Sequence, residues 1–455
     1  MSLTAELGAF LAGISYDALP GEALPIVRMG FTDAIGVMLV GTAEPVAAIV
    51  RQALMTPTTQ PEARACLSHL RVTAADAALL GGTAAHAIDY DDQSLTGHPS
   101  AVLVPAILAE GERLDADGHA LVTAYVAGYE VWAELVRRDT GYHRKGWHPT
   151  AVFGTIGAAA ACAVLNRLSA ERASMALGIA ASHAGGMATS FGSTTKPYHA
   201  GKAARDGVVA VRLAAAGMTA GREAFEHAQG FLTAFSPGTP DRESPARVGK
   251  DWYIPRQGLC IKLYPTCYFM HRSFEAAVKL LAGRGIGPTD IAEVRVTMGR
   301  GEADVLFNHR PGTADEARFS EEFAMATAVI LGRMGVAELS NAVVQRADFK
   351  DFYPKVHIDT IDERDPREPA VAPYAQVRIR LANGSMLDSG QVSGIHGHPS
   401  DPVTAAEQWT KFQECTARTH TPAEARTLFD MLQQVETLAS ARALPTTASV
   451  FAGAG

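Results

Sequence analysis

Residues 85–100 read AHAIDYDDQSLTGHPS and place His86, Asp89, Asp91 and Asp92 within seven residues, ahead of a Gly97-His98-Pro99-Ser100 turn. Carboxylates packed that closely repel one another and need cationic partners, a metal or solvent. A histidine just before a proline is held extended or in a turn, which suits a fixed catalytic group. Small and apolar runs flank the segment on both sides, so it forms the floor of a candidate catalytic site.

Three further polar clusters carry the opposite charge. GYHRKGWHPT (141–150) holds His143, Arg144, Lys145 and His148 with no acid between them. SFGSTTKPYHAGKAARDG (190–207) holds Lys196, His199, Lys202 and Arg205 with no acid before Asp206. CIKLYPTCYFMHR (260–272) holds Lys262, Tyr264, Cys267 and His271. In a chain of formal net charge −8 this is a local inversion. It fits a site that binds a di- or tricarboxylate and moves a proton with histidine or lysine. Acids beside His98 would orient its ring or raise its basicity.

Blander readings compete with each of these. A lone histidine in a helical protein is more often structural, and Arg144, Lys145, Lys202 and Arg205 read first as solvated charges. Cys267 reads first as a core thiol. His98, His148 and Lys196 stand apart because each immediately precedes a proline. Asp89-Tyr90-Asp91-Asp92 also matches the D-x-D-D proton donor of some helical cyclases, but 7% aromatic residues is poor lining for a carbocation cavity. No EF-hand or HExxH spacing occurs. The five cysteines form no CxxC pair, so neither a zinc ribbon nor an iron–sulfur framework is encoded locally. The expectation is an enzyme without metal or cofactor.

The elements that must position these groups are mostly helices. The 455 residues suffice for two or three domains, and 47% hydrophobic with 19% charged residues is a globular composition. The acidic balance argues against nucleic-acid binding. The N-terminus lacks a basic leader, and the uncharged run 173–195 is too polar for a span, so a cytoplasmic protein off the membrane is expected. Val27, Phe31, Ile35, Met38 and Leu39 recur at helical spacing. Helices are expected over 74–88, 101–113, 120–137, 151–165 and 170–184, the last capped by Ser169. Past a Pro-rich loop at 236–247 the pattern changes. EVRVTM (293–298) and AQVRIRL (375–381) alternate like strands, Asn383-Gly384 makes a hairpin turn into 385–392, and 321–334 is helical. Residues 404–441 return to helices. The fold class is mainly α with a smaller α+β domain, divided at 1–259, 260–398 and 399–455, and the last segment rejoins the first.

Taken together, AHAIDYDDQSLTGHPS, GWHPT, FGSTTKPYHAG followed by AARDG, KLYPTC followed by His271, FSEEFAMATAVILG and Lys411-Phe412 resemble the MmgE/PrpD family over roughly residues 5–435. The resemblance implies a large helical domain built from both chain ends, an α+β lid and a homodimer. It also implies proton transfer at a carbon beside a carboxylate, with no iron–sulfur cluster. Asp91, Thr96, His98, His148 and Lys196 match the family's active-site motifs, and Lys262 with Tyr264-Pro265 matches a cationic edge at the domain junction. His199, Cys267 and His271 join Thr96, Lys262 and Tyr264 as substrate-binding candidates. Cys267 stands where the decarboxylase branch has a histidine, which disfavours decarboxylation. The expected partner is a small polycarboxylate and the first expectation is a dehydratase of the 2-methylcitrate type. The alternatives are an iminodisuccinate-like epimerase, a cis-aconitate-type decarboxylase and a non-catalytic polycarboxylate binder.

Overall fold

The computed structural model describes residues 1–55, 58–139, 141–365 and 371–447, except the side chains of His143 and Arg144. Those two members of the second cationic cluster therefore lie outside the described residues.

Five helices form the heart of the first half: Ala74–Ala85, Pro99–Leu114, Gly118–Arg137, Pro149–Leu165 and Thr195–Ala215. Two begin on a proline at the first helical position, where its missing N–H costs nothing. Ser169 caps the helix Ala170–His183 by accepting from the Arg172 N–H. Small residues let the backbones approach closely. A Cβ on Gly201 would lie 2.3 Å from the Leu79 carbonyl oxygen, and one on Gly82 would lie 2.8 Å from Gly201 Cα. The end of Ala74–Ala85 is thereby drawn against the start of Thr195–Ala215, which brings His86 and the residues after it beside Lys196. That last helix is not announced by the sequence. Pro197, His199 and Gly201 give its first turns little intrinsic preference, and tertiary packing decides.

The helix Ala23–Gly41 is long and apolar enough to cross a membrane by length and composition, yet most of it is buried among its neighbours. The helices Ala405–Thr416 and Pro422–Leu432 send Phe412, Leu428 and Phe429 into the apolar cluster that buries residues between Leu3 and Ile261, and Val435, Leu438, Ala441 and Leu444 join it. A second buried cluster comprises Phe191 and residues between Cys267 and Ile379.

That second cluster is built on a four-stranded sheet ordered Val356–Ile361, Ile291–Gly299, Gln376–Leu381 and Met386–Asp388. The first pair is parallel and the others are antiparallel. Val294, Val296, Val377 and Ile379 face inward, while Glu293 pairs with Arg380 at 2.8 Å on the outer face. The expected hairpin forms, with Gly384 at φ 86°. The parallel strand Val356–Ile361 adds to the strands expected from the sequence, and its VHIDTI segment alternates only weakly between buried and exposed positions. The helix from Glu321 stops at Ile330, short of 334, before Gly332 at φ 67°.

Candidate active site

The helix Ala74–Ala85 ends at His86, and the chain then makes turns that non-glycine residues seldom adopt. Asp89, Leu95 and Thr96 have φ of 53°, 52° and 60°. Such backbone costs on the order of 1–3 kcal/mol per residue and persists only where the surroundings impose it. Here the surroundings are residues 258–263, which run antiparallel to the segment. Gln93 and Cys260 exchange two backbone hydrogen bonds of 2.9 Å. The Ser94 hydroxyl donates to the Gly258 carbonyl at 2.8 Å, and the Tyr90 hydroxyl donates to the Leu263 carbonyl at 3.1 Å.

Asp89 Oδ1 lies 2.6 Å from Lys196 Nζ and 3.1 Å from Lys262 Nζ, and all three side chains are buried. Burial alone would raise the Asp89 carboxyl, but Lys196 and then Lys262 outweigh it and hold the group well below the usual carboxylate range. Lys196 also stands 5.0 Å from the centre of the Phe319 ring and 5.6 Å from that of Phe191.

Asp91 serves two imidazoles. Its Oδ2 lies 2.8 Å from His86 Nδ1 and 3.2 Å from His98 Nδ1. Against burial, the two rings hold it well below its ordinary range. His98 Nδ1 is also 2.9 Å from the Asp92 carbonyl oxygen. A carbonyl only accepts, so Nδ1 carries the proton and the neutral ring keeps its lone pair on Nε2. That nitrogen lies 3.8 Å from Asp89 Oδ1, and the His98 side chain keeps 13% of its surface exposed where His86 keeps none. His98 is thus the imidazole of this pair that a ligand can reach.

His148, just ahead of Pro149–Leu165, meets His199 through Nδ1 atoms 3.2 Å apart. One ring must donate and the other accept, so the two adopt opposite tautomers. Burial and then Lys196 push His148 well below its ordinary value and His199 down to about 4. Burial likewise pushes His86 down to about 3. These three rings are uncharged at neutral pH. Asp92 behaves oppositely to Asp91: burial and then Asp33 raise it, and it accepts from the Ser100 hydroxyl and, at 3.2 Å, from the Ser100 N–H.

The structure therefore gathers Asp91, His98, His148, Lys196, His199 and Lys262 at one place. Tyr264, Cys267 and His271 follow Lys262 along the chain. Burial pushes the Cys267 thiol up to about 12, and its N–H donates to the Arg318 carbonyl at 2.9 Å. His271 packs between Tyr264 and Tyr268, ring centres 5.1 and 5.5 Å away. Thr96 lines a cleft of about 1050 Å³ together with Tyr268, Arg272 and His398, whereas His98, His148 and Lys196 are not part of its wall. Lys145 and Lys202 are occupied elsewhere, on the Ser236 carbonyl at 2.6 Å and on Asp206 at 2.7 Å.

Sequence reasoning gave no role to His86 or Asp89, although both stood in the opening segment. Crowding of acids was visible, but which carboxylate meets the lysines is set by the left-handed turn at Asp89. One ligand atom each from His86, Asp89, Asp91 and His98 lies within 4.8 Å of the others, a spacing that a metal ion accepts. Two ammonium groups already sit on Asp89, however, and a divalent cation there would add like charge beside them.

Comparison with known proteins gives a consistent set of likenesses. A family model described as the MmgE/PrpD N-terminal domain matches residues 5–244, and one described as the MmgE/PrpD C-terminal domain matches residues 264–437. The chain is 25% identical over 388 residues to the cis-aconitate decarboxylase of Homo sapiens, covering 83% of this chain and 80% of that protein. It is 25% identical to the Mus musculus protein of the same name, covering 80% and 76%. It is 28% identical to the cis-aconitate decarboxylase of Aspergillus terreus (strain NIH 2624 / FGSC A1156), covering 61% and 60%.

Proposed function

The chain belongs to the MmgE/PrpD family, and from that premise we propose that it is a metal-independent lyase acting on a small di- or tricarboxylate. The reaction starts by removal of a proton from the carbon beside a carboxylate. One observation carries the reading: Asp89 is clamped by Lys196 and Lys262 while His98 Nε2 lies 3.8 Å from the same oxygen. Cations for a developing enediolate and a base for its proton therefore share one spot.

The chemistry follows from that arrangement. A substrate carboxylate competes with Asp89 for the two ammonium groups. His98 Nε2 takes the α proton, and Asp91 behind Nδ1 meets the positive charge that forms on the ring. The electron pair left on carbon spreads into the carboxylate held by Lys262 and Lys196. Donors fixed in a dry site lower such a barrier by about 3–4 kcal/mol each. The pair then forms the double bond as the β C–O bond breaks, and the hydroxyl leaves as water with a proton from Lys196. Asp89 touches Lys196 and faces His98, so the proton on His98 returns to Lys196 across it. The first reading is accordingly dehydration.

Decarboxylation of an acid like cis-aconitate is the second reading, favoured by the names of the relatives. The experiment is proton NMR in D2O with citrate, 2-methylcitrate, cis-aconitate and iminodisuccinate, with and without EDTA. Loss of water supports the first reading and release of CO2 the second. Deuterium uptake with inversion supports an epimerase. No change in any substrate overturns the substrate class, and activity lost to EDTA overturns the metal-free mechanism.

A further inference from the structure

The proposed chemistry uses two buried lysines, and a third lies beside them. Lys411, on the helix Ala405–Thr416, is buried and forms an ion pair of 2.5 Å with Asp33. Its Nζ also donates to the Tyr90 carbonyl at 2.7 Å and stands 4.2 Å from the centre of the Tyr90 ring. Lys262 does the same one residue earlier, donating to the Asp89 carbonyl at 2.8 Å. Two consecutive carbonyls at the left-handed Asp89 thus each take a lysine from a distant part of the chain. Residues 89 and 90 lie outside helix and sheet, so these carbonyls have no regular backbone ladder to satisfy them. A buried carbonyl left unmade costs about 1–3 kcal/mol, enough to turn a peptide that already sits in a strained conformation.

We propose that Lys411 is a positioning residue for the site: it fixes the Tyr90 carbonyl, and with it the left-handed turn that aims the Asp89 carboxylate at Lys196 and Lys262. Lys411 touches none of the acid/base side chains. It acts on them through the backbone, and it ties the returning C-terminal helix to the geometry of the site. The catalytic half of the inference rests on the proton-transfer reading above, whereas the geometric half stands without it.

Two variants test it. Lys411→Met removes the donor but strands Asp33, so it is paired with Asp33→Leu/Lys411→Met, which removes both charges. The ring nitrogens of His98 are followed by 15N NMR in histidine-labelled full-length protein, without substrate. Turnover is measured on whichever polycarboxylate the wild type converts. In the double variant, with circular dichroism unchanged, the expected results are shifted His98 resonances and kcat lower by about 100-fold, with KM within about threefold. A folded double variant with wild-type His98 resonances and wild-type kcat overturns the proposal. A double variant that fails to fold also overturns it, because Lys411 would then serve stability alone. If the wild type converts no polycarboxylate, the proposed function falls, and the His98 resonances still decide whether Lys411 positions the turn.

Discussion

Asp89, in the helical cluster, and Glu321, beside the sheet, are both shut away from water, yet they hold opposite charge states. Asp89 has two ammonium groups on one oxygen and stays ionised. Glu321, at the start of the helix Glu321–Ile330, has no cation beside it among the described residues. Burial pushes it up to about 8, so it is protonated at neutral pH. The same contrast recurs between two neighbours of the candidate segment, where Asp91, hydrogen-bonded by two imidazoles, is held down while burial and Asp33 raise Asp92. Burial sets the penalty and counter-charge sets its sign. A site meant to hold charge must therefore import cations, and this one does so from helix Thr195–Ala215 and from Lys262.

The largest expected effect comes from breaking the clamp. Lys196→Met should lower kcat/KM by about 10³-fold, with the fold retained through Lys262. Steady-state rates with the substrate found by NMR measure it, and a loss under tenfold would remove Lys196 from the chemistry.

Acid should act next most strongly. The folded values of His86, His199 and His271 lie below the ordinary 6.5, at about 3, about 4 and about 3. The unfolded chain therefore binds more protons in acid. The stability these groups contribute is complete above pH 6.5 and is lost as pH falls toward 3. Thermal melts between pH 7 and pH 4 should show a steep fall in Tm, and a flat profile would show that the rings are charged in the folded state.

Glu321 should give the smallest and most local effect, with the opposite slope. Its folded value of about 8 lies above the ordinary 4.5, so its contribution is complete below 4.5 and is lost as pH rises through 8. Glu321→Gln should melt roughly 2 °C higher than wild type at pH 9 and show no such gain at pH 5. An equal gain at both values would mean that the carboxyl is not titrating.

Much of this architecture was legible in the sequence because it depends on local signals. Pro99, Pro149 and the Ser169 cap marked helix starts, and the alternation of 293–298 and 375–381 marked strands. His98, His148, Lys196 and Lys262 stood out by residue type and by their neighbours, and they do converge. Three features were not legible, for related reasons. The helix Thr195–Ala215 is imposed by glycine contacts with Ala74–Ala85 rather than by propensity. Asp89 and Asp91 are indistinguishable by type, and only the turn at Asp89 sends one to the lysines and the other to the imidazoles. Lys411 was visible only as part of a short motif, because its partners Asp33 and Tyr90 lie far away in the chain.

The most direct test of the central claim, that His98 moves the proton beside the Asp89–lysine clamp, is the rate of solvent deuterium entry or water loss in D2O. It is measured for wild type and His98→Gln on the same polycarboxylate. A drop of about 10³-fold in the variant, with wild-type circular dichroism, is the predicted result. A His98→Gln protein that exchanges or dehydrates at the wild-type rate would contradict it.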